Sequence, residues 1–381
     1  MARLGDYIEQ IRGVSYKPED VCSSTDNDAV AILRANNIQD DGLNFDDLVY
    51  VKKSKILDKQ YIQKGDIIVC ASSGSKSLVG KAAIASEKFP VAFGAFCKVV
   101  RPKKLIPSYI GYFFQSPKYR STISELSGGA NINNIRNDHI DELDIVIVSE
   151  KEQESIVNQL DVLSNLIFNR KQQLSKLDEL VKSRFVELFG DPKYNKSSLV
   201  KIREIGALTS GGTPSRAKPE YFEGDIRWYS AGELNSLYLP DSVEHISETA
   251  LQQSSAKLFN KGTLMIGMYD TAAFKMGILT EDSSSNQACA NLNPKRGYNI
   301  VWLYYLFDIM KPIFLQERQG VRQKNLSLSK IKEFEVPFAP FELQNQFAAF
   351  VKQTDKSKLD IQKSLEKLET LKKALMQKYF G

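Results

Sequence analysis

Between residues 151 and 188 apolar side chains return at every seventh position: Leu160, Ile167, Leu174, Val181 and Leu188, with Leu163 and Leu177 forming a second row. Neither Pro nor Gly interrupts the stretch, and this spacing lays one apolar stripe along a helix. Residues 342–380 repeat the pattern, with Ile361, Leu368 and Leu375 at sevens, Leu365 and Leu371 beside them, and Lys and Glu on the remaining positions. Each helix, at roughly 38 residues, would run about 55–60 Å. A stripe of that length needs a partner helix to cover it.

The pattern ahead of each helix is different. Short β-type runs at residues 66–71, 96–100, 143–148, 264–268 and 334–338 alternate with turn clusters. One helix is expected in each of these regions, over residues 107–126 and 298–318; Pro107 suits a first helical turn, and Pro312 should kink the second helix. The class is therefore α+β, with globular mixed α/β parts and long helices between them.

Self-similarity organises the whole chain. Residues 129–190 align without a gap onto 320–381, pairing Asn134-Ile135 with Asn325-Leu326, His139-Ile140 with Lys330-Ile331, Gln153 with Gln344, and Phe189-Gly190 with Phe380-Gly381. Weaker echoes lie upstream, where residues 64–69 match 261–266, residues 110–114 match 302–306, and residues 3–13 can be laid on 201–211. The expected plan is a globular domain at 1–150, a long helix at 151–190, a second globular domain at 191–341 and a second long helix at 342–380 with its closing Gly381. Connectivity then asks the two stripes to pair antiparallel, as a coiled coil with a pseudo-twofold internal repeat.

Composition excludes several classes of function. With 42% hydrophobic and 25% charged residues the chain should fold, and its net charge of +5 permits an anionic partner without proving one. Cys22, Cys70, Cys97 and Cys289 form no C-x-x-C pair, which is the usage of reduced thiols in a cytosolic protein. The start lacks the apolar run of a signal peptide, and the greasiest stretch, residues 300–315, is broken by Asp308, Lys311 and Pro312, so no membrane partner is expected. His139 and His245 have no partners at metal-ligand spacing and read as ordinary surface or half-buried histidines. Residues 74–82 imitate a phosphate-binding loop, but five residues separate the glycines and Ala82 stands where a magnesium-holding hydroxyl belongs. Asp191-Pro192-Lys193-Tyr194 follows Gly190, where Pro is an ordinary helix stop, and Pro240-Asp241 has no Glu-x-Lys after it. No catalytic residue and no metal site is expected in this chain.

What remains is a set of polar, aromatic and basic loops that occurs twice. The first set offers Arg12, Tyr16, Lys17, Ser73, Ser75, Lys76, Asn133 and Arg136. The second offers Thr213, Ser215, Arg216, Lys218, Trp228, Tyr229, Tyr269, Asn286, Gln287, Arg322 and Lys324. These residue types reach phosphates and base edges: Arg and Lys to guanine, Asn and Gln to adenine, hydroxyls to phosphate. The helix-pairing set is Leu160, Leu163, Ile167, Leu174, Leu177 and Val181 with Ile361, Leu365, Leu368 and Leu375.

The stretch from Leu208 through Ser215, Leu-Thr-Ser-Gly-Gly-Thr-Pro-Ser, is followed by Pro219-Glu220-Tyr221-Phe222, Gly224-Asp225-Ile226 and Trp228. It resembles the opening of a target recognition domain in DNA-specificity subunits of type I restriction-modification systems. The lengthwise plan, with Lys261-Gly262, Asn286-Gln287 and the duplicated module 153–190 and 344–381, is similar too. In the first half the opening is degenerate, Gln10 through Tyr16, without Gly-Gly-Thr-Pro. The resemblance implies a non-catalytic protein whose two recognition domains each read one half of a bipartite double-stranded DNA target. It also implies that the helices set the spacer while docking DNA adenine methyltransferase subunits and, through them, restriction subunits. S-adenosylmethionine, Mg2+ and ATP would then belong to those partners. With the helix pair as a ruler, four residues inserted in one arm add about 6 Å, close to two base pairs. Two other readings differ in what they require. A DNA-modifying enzyme with an unrecognised active site would lose turnover but keep affinity on single substitutions, and a coiled-coil scaffold would show no sequence-selective binding.

Overall fold

The computed structural model describes residues 1–39, 42–126, 133–195, 198–318 and 325–381. They form two compact units: residues 1–173 with 361–381, and residues 174–360.

Unit 1 is built on a four-stranded antiparallel sheet. Its strands are β1 (Ile8–Arg12), β4 (Ile67–Cys70), β5 (Ala82–Ile84) and β7 (Cys97–Pro102), in the order β1-β7-β4-β5. A second sheet joins β6 (Val91–Phe93) in parallel to β2 (Ala29–Leu33), which pairs antiparallel with β3 (Val49–Lys52). Strand β4 is apolar on both sides; Ile67, Ile68, Val69 and Cys70 are all fully buried, because helices cover one face and the second sheet's elements the other. The expected helix over 107–126 is two helices, α1 (Pro107–Phe113) and α2 (Pro117–Leu126). Pro117 has no N–H to continue the first helix, and the Ser116 hydroxyl receives the Tyr119 N–H at 3.2 Å.

Unit 2 repeats this plan. Strands β8 (Gly206–Ser210), β11 (Leu264–Gly267), β12 (Met276–Ile278) and β14 (Cys289–Pro294) form the sheet β8-β14-β11-β12. Strand β9 (Ile226–Tyr229) pairs antiparallel with β10 (Glu244–Ile246) and parallel with β13 (Ser284–Ser285). Its domain helix α4 (Ile300–Gln316) starts at Asn299, whose side chain accepts from the Val301 and Trp302 N–H groups, and it continues through Pro312. The offset between equivalent residues is 198 at Ile8 and Gly206 and 191 at Glu150 and Phe341. Loop-length changes are thus confined to the front of each repeat.

The long helices are α3 (Glu150–Phe189) and α5 (Phe341–Phe380), 40 residues each. Inside unit 1, Tyr379 donates to Gln159 at 2.9 Å and Lys171 pairs with Glu369 at 3.5 Å. Inside unit 2, Lys358 pairs with Asp178 at 2.6 Å and the Phe185 and Phe347 rings meet at 5.2 Å. As one number rises the other falls in both units, so the stripes pair antiparallel. Leu160, Leu163 and Val181 are buried, and Ile167, Leu174, Leu177, Ile361, Leu365, Leu368 and Leu375 are half-buried. Leu371 stands 48% exposed. Its neighbour Lys372 turns inward instead, its ammonium 5.6 Å from the Tyr112 ring and its pKa lowered chiefly by burial.

The buried Gln153 and Gln344 show what the repeat preserves. The Ile106 N–H donates to Gln153 Oε1 at 3.0 Å, and Gln153 Nε2 donates to the Val148 carbonyl at 3.0 Å. Gln344 does the same work in unit 2, accepting from the Asn299 N–H at 2.7 Å and donating to the Ala339 carbonyl at 2.7 Å. Each glutamine bolts the first turn of a long helix to the N-terminus of the preceding domain helix. The bonds satisfy the Ile106 and Asn299 N–H groups and the Val148 and Ala339 carbonyls at the junction.

Candidate nucleic-acid interface

Strand register brings the polar loops of each unit to one end of its four-stranded sheet. In unit 2, Ser210 lies opposite Ala290, and Gly267 opposite Cys289. The segments leaving β8, leaving β11 and entering β14 therefore emerge together. Two further contacts bring in residues that follow α4: the Leu326 N–H donates to the Met268 carbonyl at 2.8 Å, and Asn325 Oδ1 accepts from the Asp270 N–H at 3.0 Å. Unit 1 repeats the gathering, with Arg12 opposite Lys98, Cys70 opposite Cys97, and Asn133-Asn134 paired with Ser73-Ser72.

The turn out of the first strand is possible only with glycine. A Cβ on Gly13 would lie 2.1 Å from the Gly94 carbonyl oxygen, and one on Gly211 would lie 2.2 Å from that of Ser285. The two residues are equivalent in the repeat, and in both units the next N–H donates across the same gap, Val14 to Phe93 and Gly212 to Ser285. The close approach of backbone to backbone, with no room for a side chain, is the physical content of the matching glycines.

In unit 2 the loop 211–218 sits on an aromatic base. Trp228 is buried and its indole N–H donates to the Gly212 carbonyl at 3.0 Å; Tyr229 is buried and donates to the Pro240 carbonyl at 2.6 Å. Both rings therefore support the loops from within. The Arg216 guanidinium lies 4.2 Å from the Phe222 ring centroid and forms a two-pronged pair with Glu244, holding that carboxyl below its ordinary range. Lys218 donates to the Tyr221 hydroxyl at 2.9 Å. Ser215 and Gln287 are exposed, Tyr269 is 40% exposed, and Thr213 donates its hydroxyl to Gln287 Oε1.

In unit 1, among the described residues, no partner meets the exposed Arg12 guanidinium; its carbonyl takes the Gln60 amide at 3.0 Å. Tyr16 is half-buried against the second sheet, Lys17 faces Glu19 at 3.8 Å, and Arg136 is paired with Asp138 at 2.9 Å. Ser73 Oγ accepts from the Ser75 N–H, Ser75 contacts Ser77, and Lys76 is exposed; Arg120 fastens this loop from below by donating to the carbonyls of Ser77 and Val79. Arg322 and Lys324 lie outside the described residues, and Asn133 is described only by its strand pairing. Lys52, Lys53 and Lys55 extend the basic surface beside Lys17, with Lys55 pairing Asp20 at 3.1 Å and Lys52 donating to the Glu19 carbonyl. The charge run around Ser54 is the sequence signal for these lysines.

Beneath the unit 1 loops lies a buried ammonium. Lys98 donates to Gln10 Oε1 at 2.8 Å and Asn137 Oδ1 at 2.7 Å, and Gln10 donates to Asp141 at 2.7 Å. Burial brings the Lys98 pKa down to about 8. The unit 2 counterparts in the repeat are Leu208, Ala290 and Leu328, so the same space there is apolar. The folded lysine gives up its proton near pH 8, whereas an unfolded one holds it to about 10.4, so the unfolded state binds more protons between those values. Relative to Lys98→Met, the natural protein is expected to gain stability as pH rises through that window, on the order of 1–2 kcal/mol after allowance for partial solvent screening. Urea titrations of both at several pH values measure it, and parallel profiles would show that Lys98 stays charged.

Among the described residues no three His, Cys, Asp or Glu side chains gather as a metal site, and no helix is long and apolar enough to cross a membrane. The four cysteines are free thiols, three of them buried.

Comparison with known proteins agrees with this architecture. The family described as "Type I restriction modification DNA specificity domain" matches the chain twice, over residues 1–179 and 195–373. The chain belongs to this family. It is 43% identical over 173 residues to the type I restriction enzyme StySPI specificity subunit of Salmonella potsdam, and 42% identical over 173 residues to the EcoKI specificity subunit of Escherichia coli K12. Each match covers 45% of this chain and 37% of the relative, so the chain spans little more than a third of those proteins. The fold is similar to a crystal structure of a type I restriction-modification S subunit from M. genitalium, with TM-score 0.57, 17% identity, and 100% and 95% of the two chains covered. A chain from a study of complex assembly and conformational transition of the type I R-M system superposes with TM-score 0.54 at 15% identity, covering 98% and 97%.

Proposed function

We propose that this protein is the sequence-specific DNA-binding subunit of a type I restriction-modification assembly, in which each unit reads one half of a bipartite double-stranded target. The observation that carries this reading is a single scaffold present twice with unlike loop tips. Gly13 and Gly211 make the same tight crossing, yet the loops beyond them carry Tyr16 and Lys17 in one unit and Thr213, Ser215 and Arg216 in the other. A repeated frame with different side chains suits two different half-sites.

In this reading the chain is not an enzyme. DNA adenine methyltransferase subunits, two of them, dock on the paired helices and bring restriction subunits with them, and S-adenosylmethionine, Mg2+ and ATP are bound by those partners. The exposed Arg12, Lys17, Lys52, Lys53 and Lys76 supply sequence-independent phosphate contacts, and the partners share the rest, in keeping with a net charge of only +5. The site of action is the cytoplasm, where the target DNA lies.

Single-molecule methylation sequencing of the source genome, with the gene intact and deleted, tests the proposal. Disappearance of one interrupted adenine-methylation motif on deletion is expected; an unchanged methylome in a strain that methylates adenine would refute it. The ruler role has its own test. Seven residues added to each of α3 and α5 keep the heptad seam in register and lengthen the pair by about 10 Å, about three base pairs. The spacer of the methylated motif is expected to lengthen by that amount with both half-sites unchanged, and an unaltered spacer would remove the helices from spacing.

A further inference from the structure

We infer that Gln287 reads an adenine in the half-site facing unit 2, and that Thr213 is the residue that orients it; this rests on the DNA-recognition reading above. Asn286 and Gln287 are adjacent amides at the gathered loop end, but internal bonds leave them with different chemistry. Asn286 Oδ1 accepts from the Ala288 N–H at 3.0 Å and from the Cys289 thiol at 3.4 Å. Both of its lone pairs are used, so Asn286 offers only its N–H groups outward. Gln287 Oε1 accepts one bond, from the Thr213 hydroxyl, and keeps a second lone pair. Among the described residues its Nε2 has no acceptor, and the side chain is exposed.

An amide presenting one acceptor and one donor side by side matches the N6–H and N7 edge of adenine in the major groove. A donor-only amide does not; Asn286 suits N7, O6, O4 or a phosphate instead. The frame that presents Gln287 is stiff. Thr213 is held by Ser255, which donates to its carbonyl at 3.4 Å, and by the Gly212 carbonyl bonded to the Trp228 indole. A side chain above Gly212 is excluded, because its Cβ would lie 2.0 Å from the Ser255 carbonyl oxygen. Thr213 is thus a positioning residue: its hydroxyl tethers the Gln287 amide at the gathered loop end, where the remaining donor and acceptor face outward.

Methylation sequencing of strains carrying Gln287→Leu, Thr213→Val and Thr213→Ser tests this. Gln287→Leu is expected to make one fixed adenine of one half-site degenerate, with discrimination there falling roughly ten- to a hundredfold and the other half-site intact. Thr213→Val should loosen that same position, and Thr213→Ser, which keeps the hydroxyl, should not. An unchanged motif in Gln287→Leu, loosening at a G·C pair, or loosening at a different position in Thr213→Val overturns the inference. If Gln287→Leu abolishes methylation, selection of random-sequence DNA by the purified assembly decides: sites degenerate at that one position support it, while natural selectivity or complete loss of binding overturns it. A natural strain with no two-part motif would instead refute the underlying function.

Discussion

Substituting methionine for Arg101 is expected to destabilise unit 1 by about 3–5 kcal/mol. Asp66 is 1% exposed, and both its oxygens accept from the Arg101 guanidinium at 2.7 Å; the Gln63 N–H adds a third bond at 2.8 Å. Arg101 also reaches the Tyr61 carbonyl at 3.3 Å, so the pair ties β4 and β7 to the segment entering them. Methionine fills much of the arginine volume but leaves a carboxylate inside the unit with one hydrogen bond. The two tryptophans, Trp228 and Trp302, both lie in unit 2 and give the experiment an internal reference. Hydrogen exchange at residues 67–70 should accelerate strongly while the tryptophan fluorescence transition stays in place. Unaltered exchange would mean that the buried pair contributes no more than methionine packing does.

Valine at Gly211 should remove function with an effect of similar size. Its Cβ would sit 2.2 Å from the Ser285 carbonyl oxygen and 2.5 Å from that of Asn286, and neither backbone atom can swing aside as a side chain would. The segment leaving β8 and the β13 backbone must then part, breaking the Gly212 N–H bond to the Ser285 carbonyl, at a cost of about 3 kcal/mol, and the loop carrying Thr213 moves with them. We expect methylation of the target to fall at least a hundredfold, with Gly13→Val producing the same loss through unit 1. Gly232→Ala is the control, since only Ser230 Oγ lies within 4 Å of its added Cβ, at an ordinary 3.7 Å, and it should methylate normally. Full activity in Gly211→Val would show that the crossing does not govern the loop.

Much of this organisation is legible in the sequence because helices and repeats are local signals. The sevens at Leu160 to Leu188 and the gapless 191-residue offset locate the paired helices to within a residue or two of their observed ends. The polar joint at Gln153 and Gln344 is visible as a match, but its purpose emerges only when Ile106 and Asn299 are in place. Leucine rows also conceal exceptions: Lys372 turns in toward the Tyr112 ring while Leu371 stands exposed. The candidate loops are harder. Aromatic residues within polar stretches look alike whether they are rings beneath a loop, as Trp228 and Tyr229 are, or rings on its surface, as Tyr269 is. The partners that decide each case are distant in sequence, as Pro240 is from Tyr229 and Asn137 from Lys98. Pro117 starts a second helix inside one continuous hydrophobic pattern, so the pattern reads as one helix where the chain forms two.

The two units differ in how they are cut from the chain. Unit 2 is one uninterrupted segment, whereas unit 1 includes residues 361–381, and Met376 and Phe380 are nine-tenths or more buried in its core against Tyr109 and its neighbours. On the ribosome, where domains fold in order of synthesis, this inverts the usual order. The unit synthesised first must wait, its apolar surface around Tyr109 uncovered, through the making of all of unit 2. Early-made residues therefore depend on late-made ones for closure, and nascent chains halted before residue 361 would be the natural clients of chaperones.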